Sequence, residues 1–346
     1  VAFHSARWRH DVDLRGKRVA VIGTGASAIQ FVPAIQPQVE KLHLFQRTAA
    51  WVLPRTNTEI PRSLRSLYAS APLAQKVVRS AIYLVREAAL LAFRDGPMMR
   101  IAEALERRYL AKTVRDPVLR KKLTPDFRIG CKRILLSDEY LPALTRPNAE
   151  VVTDAIREVR ARSIVTADGL EREVDVILFG TGFKITDQPI AHMVRGRTGL
   201  TLAETWKGSP AAHLGTMIAG FPNFFLMQGP NTGLGHTSVV IMIEAQIEHM
   251  LKALRHLKHG GQLEPRAEAQ AKFVADVDRD MAGSVWTSGG CHSWYLDATG
   301  RNSTLWPGHT FTFRRLLERF DPAEYVVTAF RSRRRSADVG SVARSP

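Results

Sequence analysis

The stretch Lys17–Ala28, K-R-V-A-V-I-G-T-G-A-S-A, constrains this chain more than any other. Arg18–Ile22 is a short, largely apolar β-branched run, the pattern of a strand covered on both faces. It leads straight into Gly23-x-Gly25-x-x-Ala28, after which Ala26–Ile35 has helical spacing, and Lys41–Phe45 reads as a second strand. Geometry explains each small residue. Gly23 permits a tight strand-to-helix turn, Gly25 lets the backbone approach a pyrophosphate, and Ala28 lets helix and strand pack closely. Ser27 stands at the helix N-terminus, where free N–H groups and a partial positive charge favour phosphate. A lone GxGxxA motif is a weak signal; the strand before it and the helix after it make it specific. The chain is therefore expected to be an α/β protein that binds a dinucleotide.

The end of the second strand selects which dinucleotide. A protein that takes NAD usually places an Asp or Glu about 20 residues past the glycines, to hold the ribose 2′-hydroxyl. Here the strand runs into Gln46-Arg47-Thr48 and offers no carboxylate. A guanidinium and a hydroxyl suit a 2′-phosphate, because Arg makes forked, charge-assisted bonds to phosphate oxygens. NADP(H) is the expected cofactor, with a solvated Arg at a strand end as the plainer account of Arg47.

Beyond this unit, Pro54–Pro61 reads as a linker. Residues 63–123 are rich in Leu, Ala, Arg and Lys at helical spacing, as in Ile101, Leu105 and Tyr109. Short β-branched runs follow at Val151–Thr153, Ile156–Val159 and Ser163–Thr166, with a hairpin signal at Asp168-Gly169. Val174–Phe179 is a further strand, ending in Gly180-Thr181-Gly182-Phe183. Ser238–Leu257 reads as a strong helix with Val240, Ile243, Ile247, Leu251 and Leu254 on one face, stopped by Gly260-Gly261. Residues 331–346 read as a disordered basic tail.

At 346 residues the chain is long enough for about two domains. Its formal net charge is +16, but the cations are spread along the sequence. Neither zinc spacing nor an RNP-like motif accompanies them, so nucleic acid is not the expected partner. Two cysteines, Cys131 and Cys291, are too few for a disulfide framework, which makes a reducing cytoplasm the default. The segment C-H-S-W-Y at Cys291–Tyr295 looks metal-like but has no spaced partner ligands, so no metal is expected. Val78–Phe93 is the most apolar stretch. Arg79 and Arg86 interrupt it, and it is shorter than the roughly 20 residues a bilayer requires. An amphipathic helix is expected there, with peripheral membrane contact open and no integral segment.

Ahead of the glycine turn, Val1–Trp8 reads V-A-F-H-S-A-R-W, placing His4 and Trp8 four residues apart. This HxxxW element, the Phe45-Gln46-Arg47-Thr48 strand end, Gly130-Cys131-Lys132-Arg133, Asp175–Phe183, Gly220-Phe221-Pro222-Asn223 and Gly229-Pro230-Asn231 occur in one order. In that order they resemble the class B flavoprotein monooxygenases, and within them the Baeyer–Villiger monooxygenases. Arg9 departs from the Pro or Asp usual after that family's Trp. The resemblance implies a two-dinucleotide-binding-domain flavoprotein: a linker over 1–13, a Rossmann-like NADP domain over 14–54 and 129–184, a helical insertion over 55–128, and the C-terminal part of an FAD and substrate domain over 185–330. It also implies that NADPH reduces FAD and that O2 then supplies one oxygen atom next to the carbonyl of a ketone, giving an ester or lactone. Oxygenation at sulfur or nitrogen is the alternative chemistry.

By the same resemblance Arg133 is catalytic, Lys132 joins Arg47 and Thr48 at the 2′-phosphate, and Gly23, Gly25, Ser27, Ala28, Thr181 and Gly182 line the cofactor. A permanently charged guanidinium at Arg133 suits an anionic oxygen species in a dry site. Read from the residues alone, Lys132-Arg133 is also a solvated basic pair at a turn. His4 is also a structural histidine between domains, Trp8 is packing, and Gly229–Gly235 is a flexible loop or an approach to the flavin ring. Only one glycine turn is present, so the chain reads as a fragment lacking an N-terminal FAD-binding segment. A non-catalytic NADP-binding remnant, and a small reductase whose Gly23–Ala28 turn holds FAD, are the competing readings.

Overall fold

A computed structural model describes residues 1–55, 58–90, 96–257 and 260–329. The basic tail 331–346, and the end of the Val78–Phe93 stretch, lie outside the described residues. Elements follow in chain order as β1 Ala2–His4, β2 Arg18–Ile22, α1 Ala28–Ile35, β3 Lys41–Phe45 and β4 Val52–Leu53, then four helices, α2 Arg62–Ser70, α3 Pro72–Ala88, α4 Pro97–Thr113 and α5 Pro117–Lys122. Next come β5 Leu135–Leu136, α6 Tyr140–Leu144, β6 Ala149–Val152, β7 Ile156–Val159, β8 Ser163–Thr166, β9 Glu171–Glu173 and β10 Val176–Phe179. The remainder comprises α7 Leu202–Trp206, α8 Val239–His256, β11 Gln262–Pro265, α9 Ala267–Met281, α10 Val285–Ser288, α11 Thr310–Glu318 and β12 Tyr325–Thr328.

Five parallel strands form the central sheet in the order β1-β10-β2-β3-β6. The middle strands bury residues of both faces: Val19, Ala20, Val21, Leu42 and Leu44 are inaccessible to solvent. Each such aliphatic side chain withdrawn from water contributes roughly 1.5–3 kcal/mol. On one face Val19, Val21, Leu42, Leu44 and Val151 pack against Ala28, Ile29, Val32 and Ile35 of α1 and Tyr140, Leu141 and Leu144 of α6. On the other, Ala20, Phe45, Val152 and Ile177 meet Ile164 and Val174, so the antiparallel sheet β7-β8-β9 covers that side. The expected hairpin turns at Gly169, whose φ is +84°.

Residues 2–4, read from sequence as linker, form the edge strand β1 beside β10. The helix after the glycine turn starts at Ala28 rather than Ala26. The helical insertion leaves the sheet after β3 and returns at β6, and its neck is held by the two-residue parallel pair β4-β5. There Leu135 N donates to Trp51 O at 2.9 Å, and Trp51 Nε1 donates to Phe127 O at 2.9 Å.

The face of α8 needs correction. Val240, Ile247, Leu251 and Leu254 are 40–54% exposed, and the buried residues are Met242, Ala245, Gln246, His249 and Ala253. Polar anchors decide the orientation. Gln246 Nε2 donates to Gly215 O at 2.8 Å and Thr216 Oγ1 at 3.1 Å, and its Oε1 accepts from Gln228 N at 2.9 Å. The His249 ring bonds Leu317 O at 3.0 Å and Tyr325 Oη at 2.7 Å. Likewise Ile101 and Leu105 of α4 face solvent, while Glu106 and Leu110 are buried. Helical spacing was legible at both places; the buried side was not.

Candidate functional site

The glycine turn sits at the carboxyl edge of the parallel sheet, where β2, β3 and β10 all end. Gly23 has φ +108°, and a Cβ built on it would lie 2.5 Å from Gly180 O. Only glycine fits between the ends of β2 and β10. Gly25 is exposed, and nothing stands within 4 Å of where its Cβ would be. That open side is the room a pyrophosphate needs. Ala28 Cβ comes 3.6 Å from the Cβ position of Gly180, so a larger side chain would pry the helix off the strand. Ser27 forms no side-chain cap bond at the start of α1, which leaves its hydroxyl available at the helix N-terminus. Thr181 and Gly182 are exposed beside this turn, and Gly182 has φ +86°.

The cation set assembles next to the turn although its members are 85 residues apart in sequence. Lys132 Nζ donates to Thr48 Oγ1 at 3.1 Å, and Thr24 Oγ1 donates to Thr48 O at 3.3 Å. Burial, and next the charge of Arg47, hold the Lys132 ammonium below its ordinary pKa, with only Asp126 acting in the opposite sense. Two cations pressed together without a paired carboxylate make a place for an anion. Lys132 also rides over the Phe127 ring, 4.8 Å from its centroid. The structure thus brings Gly23, Gly25, Ser27, Thr48, Lys132 and Arg47 to one sheet edge.

Arg133 points elsewhere. It is exposed, and among the described residues it forms no hydrogen bond or ion pair. It lines a cavity of about 640 Å³ with Trp206, Leu226, Leu234, Trp294 and Leu305. The Gly229–Gly235 loop forms one wall and is firmly held rather than flexible. Asn231, at φ +58°, donates through Nδ2 to Asn302 O at 2.8 Å and Leu305 O at 3.0 Å, and its Oδ1 accepts from Arg301 at 2.8 Å. A Cβ on Gly229 would lie 2.4 Å from Gly215 O. The loop ends at Ser238, which caps α8 by accepting from Val240 N at 3.3 Å.

His4 and Trp8 lie at the other flank of the turn. His4 ends β1, its Nδ1 accepts from Ala6 N at 3.1 Å, and its ring meets Phe183 edge-on at 5.6 Å. Trp8 packs against Phe3 and against Phe31 of α1, both at 5.5 Å.

The cysteines depart from expectation. Cys131 and Cys291 are bonded to each other across 160 residues of sequence. Two cysteines build no framework, but one pair forms here because the Gly130–Arg133 segment crosses Ser288–Cys291. Arg128 N donates to Gly289 O at 3.1 Å, and a Cβ on Gly289 would fall 2.6 Å from that of Cys131. The bond ties the segment bearing Lys132 and Arg133 to the one bearing Trp294. Sequence gave no signal for it, since only the tertiary crossing makes the two neighbours. With Cys291 so engaged, C-H-S-W-Y retains His292 alone, and no cluster suited to a metal occurs among the described residues.

A parallel sheet with one glycine turn among the described residues, Arg47 and Lys132 beside it, and Arg133 lining an adjoining cavity describe an α/β protein of the dinucleotide-binding type. The chain belongs to the flavin-binding monooxygenase-like family, whose model matches residues 1–194. It is 52% identical over 329 residues to a Baeyer–Villiger monooxygenase of Streptomyces coelicolor, covering 94% of this chain and 63% of that protein. A Baeyer–Villiger monooxygenase of Pseudomonas aeruginosa is 49% identical over 330 residues, with coverage of 94% and 63%. This chain therefore spans just under two thirds of the length of these relatives. Among solved structures, it matches the closed crystal structure of cyclohexanone monooxygenase with a TM-score of 0.82 and 25% identity, over 95% of this chain and 70% of that one. A steroid monooxygenase bound to NADP matches with a TM-score of 0.80 and 28% identity, over 95% and 70%. The expected two-dinucleotide-domain fold class is the one observed.

Proposed function

We propose that this chain carries the NADPH-binding and oxygen-transfer part of a Baeyer–Villiger monooxygenase acting on a ketone. The overall reaction is ketone, O2, NADPH and a proton to ester or lactone, NADP+ and water. The carrying observation is Arg133: a permanent cation with no hydrogen bond or ion pair among the described residues, in a cavity lined by polar and apolar groups alike, next in sequence to Lys132, which bonds Thr48. Relatives named for this activity, at about half identity, support the reading.

The residues fit NADP(H). Gly23 and Gly25 open the turn to the pyrophosphate, Ser27 offers a hydroxyl, and Arg47, Thr48 and Lys132 surround the position of a 2′-phosphate. The residues fit FAD at its ring end only. The cavity and the Gly229–Gly235 loop ahead of the α8 N-terminus suit a flat, electron-rich ring, while a second glycine turn is absent among the described residues. FAD, when bound, takes up hydride from NADPH and activates O2. The chain's own part is positional and electrostatic. Arg133 holds negative charge as it develops in the cavity, a fixed cation aimed at the place where that charge forms. Trp206, Leu226, Leu234 and Trp294 supply apolar surface in the cavity against which a neutral, apolar substrate can lie.

Arg133→Ala tests this. In the FAD-loaded enzyme, anaerobic NADPH should still bleach the flavin, while chromatography finds no ester from ketone. Ester formation at near wild-type rate removes Arg133 from the reaction and with it this reading of the cavity.

A further inference from the structure

Helix α3 is built the wrong way round for a helix of a globular protein. At 100° per residue, Leu73, Val77, Val78, Ile82, Leu84 and Val85 fall on one half of its circumference. All six are exposed, from 42% at Val78 to 71% at Leu73. The opposite half carries Lys76, Arg79, Tyr83, Arg86 and Glu87, and this polar half makes the attachment to the body. Glu87 is the one buried residue of the helix. Its carboxylate accepts from Thr310 N at 3.1 Å and Thr310 Oγ1 at 2.5 Å at the start of α11, and meets His309 Nδ1 at 3.1 Å. Tyr83 Oη and Thr310 Oγ1 are 2.9 Å apart. The neighbouring α2 adds Leu64 and Leu67, 39% and 45% exposed, with Ile60 just before it at 51%.

We propose that the α2–α3 hairpin is a docking surface for an anionic lipid membrane, lying in the interface without crossing it. Charge selects this occupant. Between Arg62 and Arg86 stand five cations, Arg62, Arg65, Lys76, Arg79 and Arg86, all exposed, and no Asp or Glu. Pairing with a second copy would bring together two hairpins of five cations each, with no acid between Arg62 and Arg86 to offset them. A layer of anionic headgroups over hydrocarbon satisfies both halves at once: the apolar arc enters the acyl boundary, while the cations of the polar half and of α2 supply attraction to the headgroup layer. No helix among the described residues is long and apolar enough to cross a bilayer, so the contact is peripheral. It would bring the protein to the phase in which apolar substrates collect.

Co-sedimentation with vesicles tests the proposal. The full chain should bind vesicles of phosphatidylcholine containing about one-third phosphatidylserine at least ~10-fold more tightly than pure phosphatidylcholine, with the preference falling as salt is raised. Val77→Glu with Val85→Glu should abolish binding to both. Lys76→Gln with Arg79→Gln should remove most of the anionic preference while leaving the apolar face intact. All four positions are exposed, and unchanged NADP+ binding at the Gly23 turn verifies the fold of each variant. Three results overturn the proposal: no binding to anionic vesicles, binding unaltered by the glutamates, or self-association abolished by the glutamates in a protein that ignores vesicles.

Discussion

Two glycines, two residues apart, should fail in opposite ways when each is replaced by alanine. At Gly23 the obstacle lies inside the protein. Its φ of +108° is one that L side chains rarely adopt, and the new Cβ would sit 2.5 Å from Gly180 O. The backbone conformation alone costs about 1–2 kcal/mol. Relieving the contact requires the ends of β2 and β10 to part, where Gly180 N donates to Ile22 O at 2.8 Å. Together these amount to about 3–4 kcal/mol of lost stability. At Gly25 the space around the Cβ position is open and φ is not in the left-handed region. Gly25→Ala should leave stability unchanged or raise it by about 0.4–1 kcal/mol, by restricting the unfolded chain. Its methyl group occupies the room meant for the pyrophosphate, however, so NADP+ should bind about 10- to 100-fold more weakly, as one or two charge-assisted bonds are lost. Urea unfolding and calorimetric NADP+ titration of both variants supply the two readouts. Wild-type NADP+ affinity in Gly25→Ala, or wild-type stability in Gly23→Ala, refutes the assignment of the turn.

Arg47→Ala should weaken NADPH binding by about 1.5–3 kcal/mol and leave NADH nearly untouched; equal losses for both would mean that Arg47 does not read the 2′-phosphate. Glu106 is 1% exposed with Oε2 unpartnered, and burial pushes its carboxyl up to about 7 from an ordinary 4.5. The folded form therefore holds this proton more tightly than the unfolded form, so the contribution of Glu106 to stability is fully present below pH 4.5 and is lost as pH rises from there to about 7, by roughly 2–3 kcal/mol. Glu106→Gln should flatten that slope and stabilise the protein at pH 8, measured by urea unfolding across the range. Unfolded under non-reducing conditions, the chain should show no free thiol, and Cys291→Ser should cost about 2–5 kcal/mol; two titratable thiols in the native preparation would remove the Cys131–Cys291 bond.

What the sequence disclosed and what it withheld divide along a physical line. Arg18–Ile22 and Lys41–Phe45 were legible to the residue, because strands buried on both faces leave short, mostly apolar runs bounded by polar residues and turns. The strand-turn-helix geometry around Gly23 was legible because its glycines answer to local backbone constraints. Arg47, Thr48 and Lys132 were proposed as one set and do share one sheet edge, but that grouping came by resemblance; no local pattern joins residues 85 apart. Orientation was withheld. The apolar rows of α3, α4 and α8 are plain in the sequence, yet periodicity states only that a helix has an apolar side. Which side is buried was settled by single polar residues, Glu87, Gln246 and His249, whose partners lie far along the chain. The Cys131–Cys291 pairing was hidden for the same reason.

The two-residue ladder β4-β5 is small, but it makes the helical insertion a closed excursion with a fixed mouth. The entropy of closing such a loop grows only with the logarithm of its length, about 0.6 kcal/mol for each doubling. The loops of the insertion can therefore change length at little entropic cost, while Leu110, Val114 and Leu123 stay packed in the sheet's own core and Lys122 stays bonded to Val151 O. Lys132 and Arg133 stand at that mouth, where Leu135 is already bonded to Trp51 and Ser137 to Leu53. The insertion thus meets the sheet at a fixed mouth, and the two cations are held beside it by the ladder and by the Lys132–Thr48 bond.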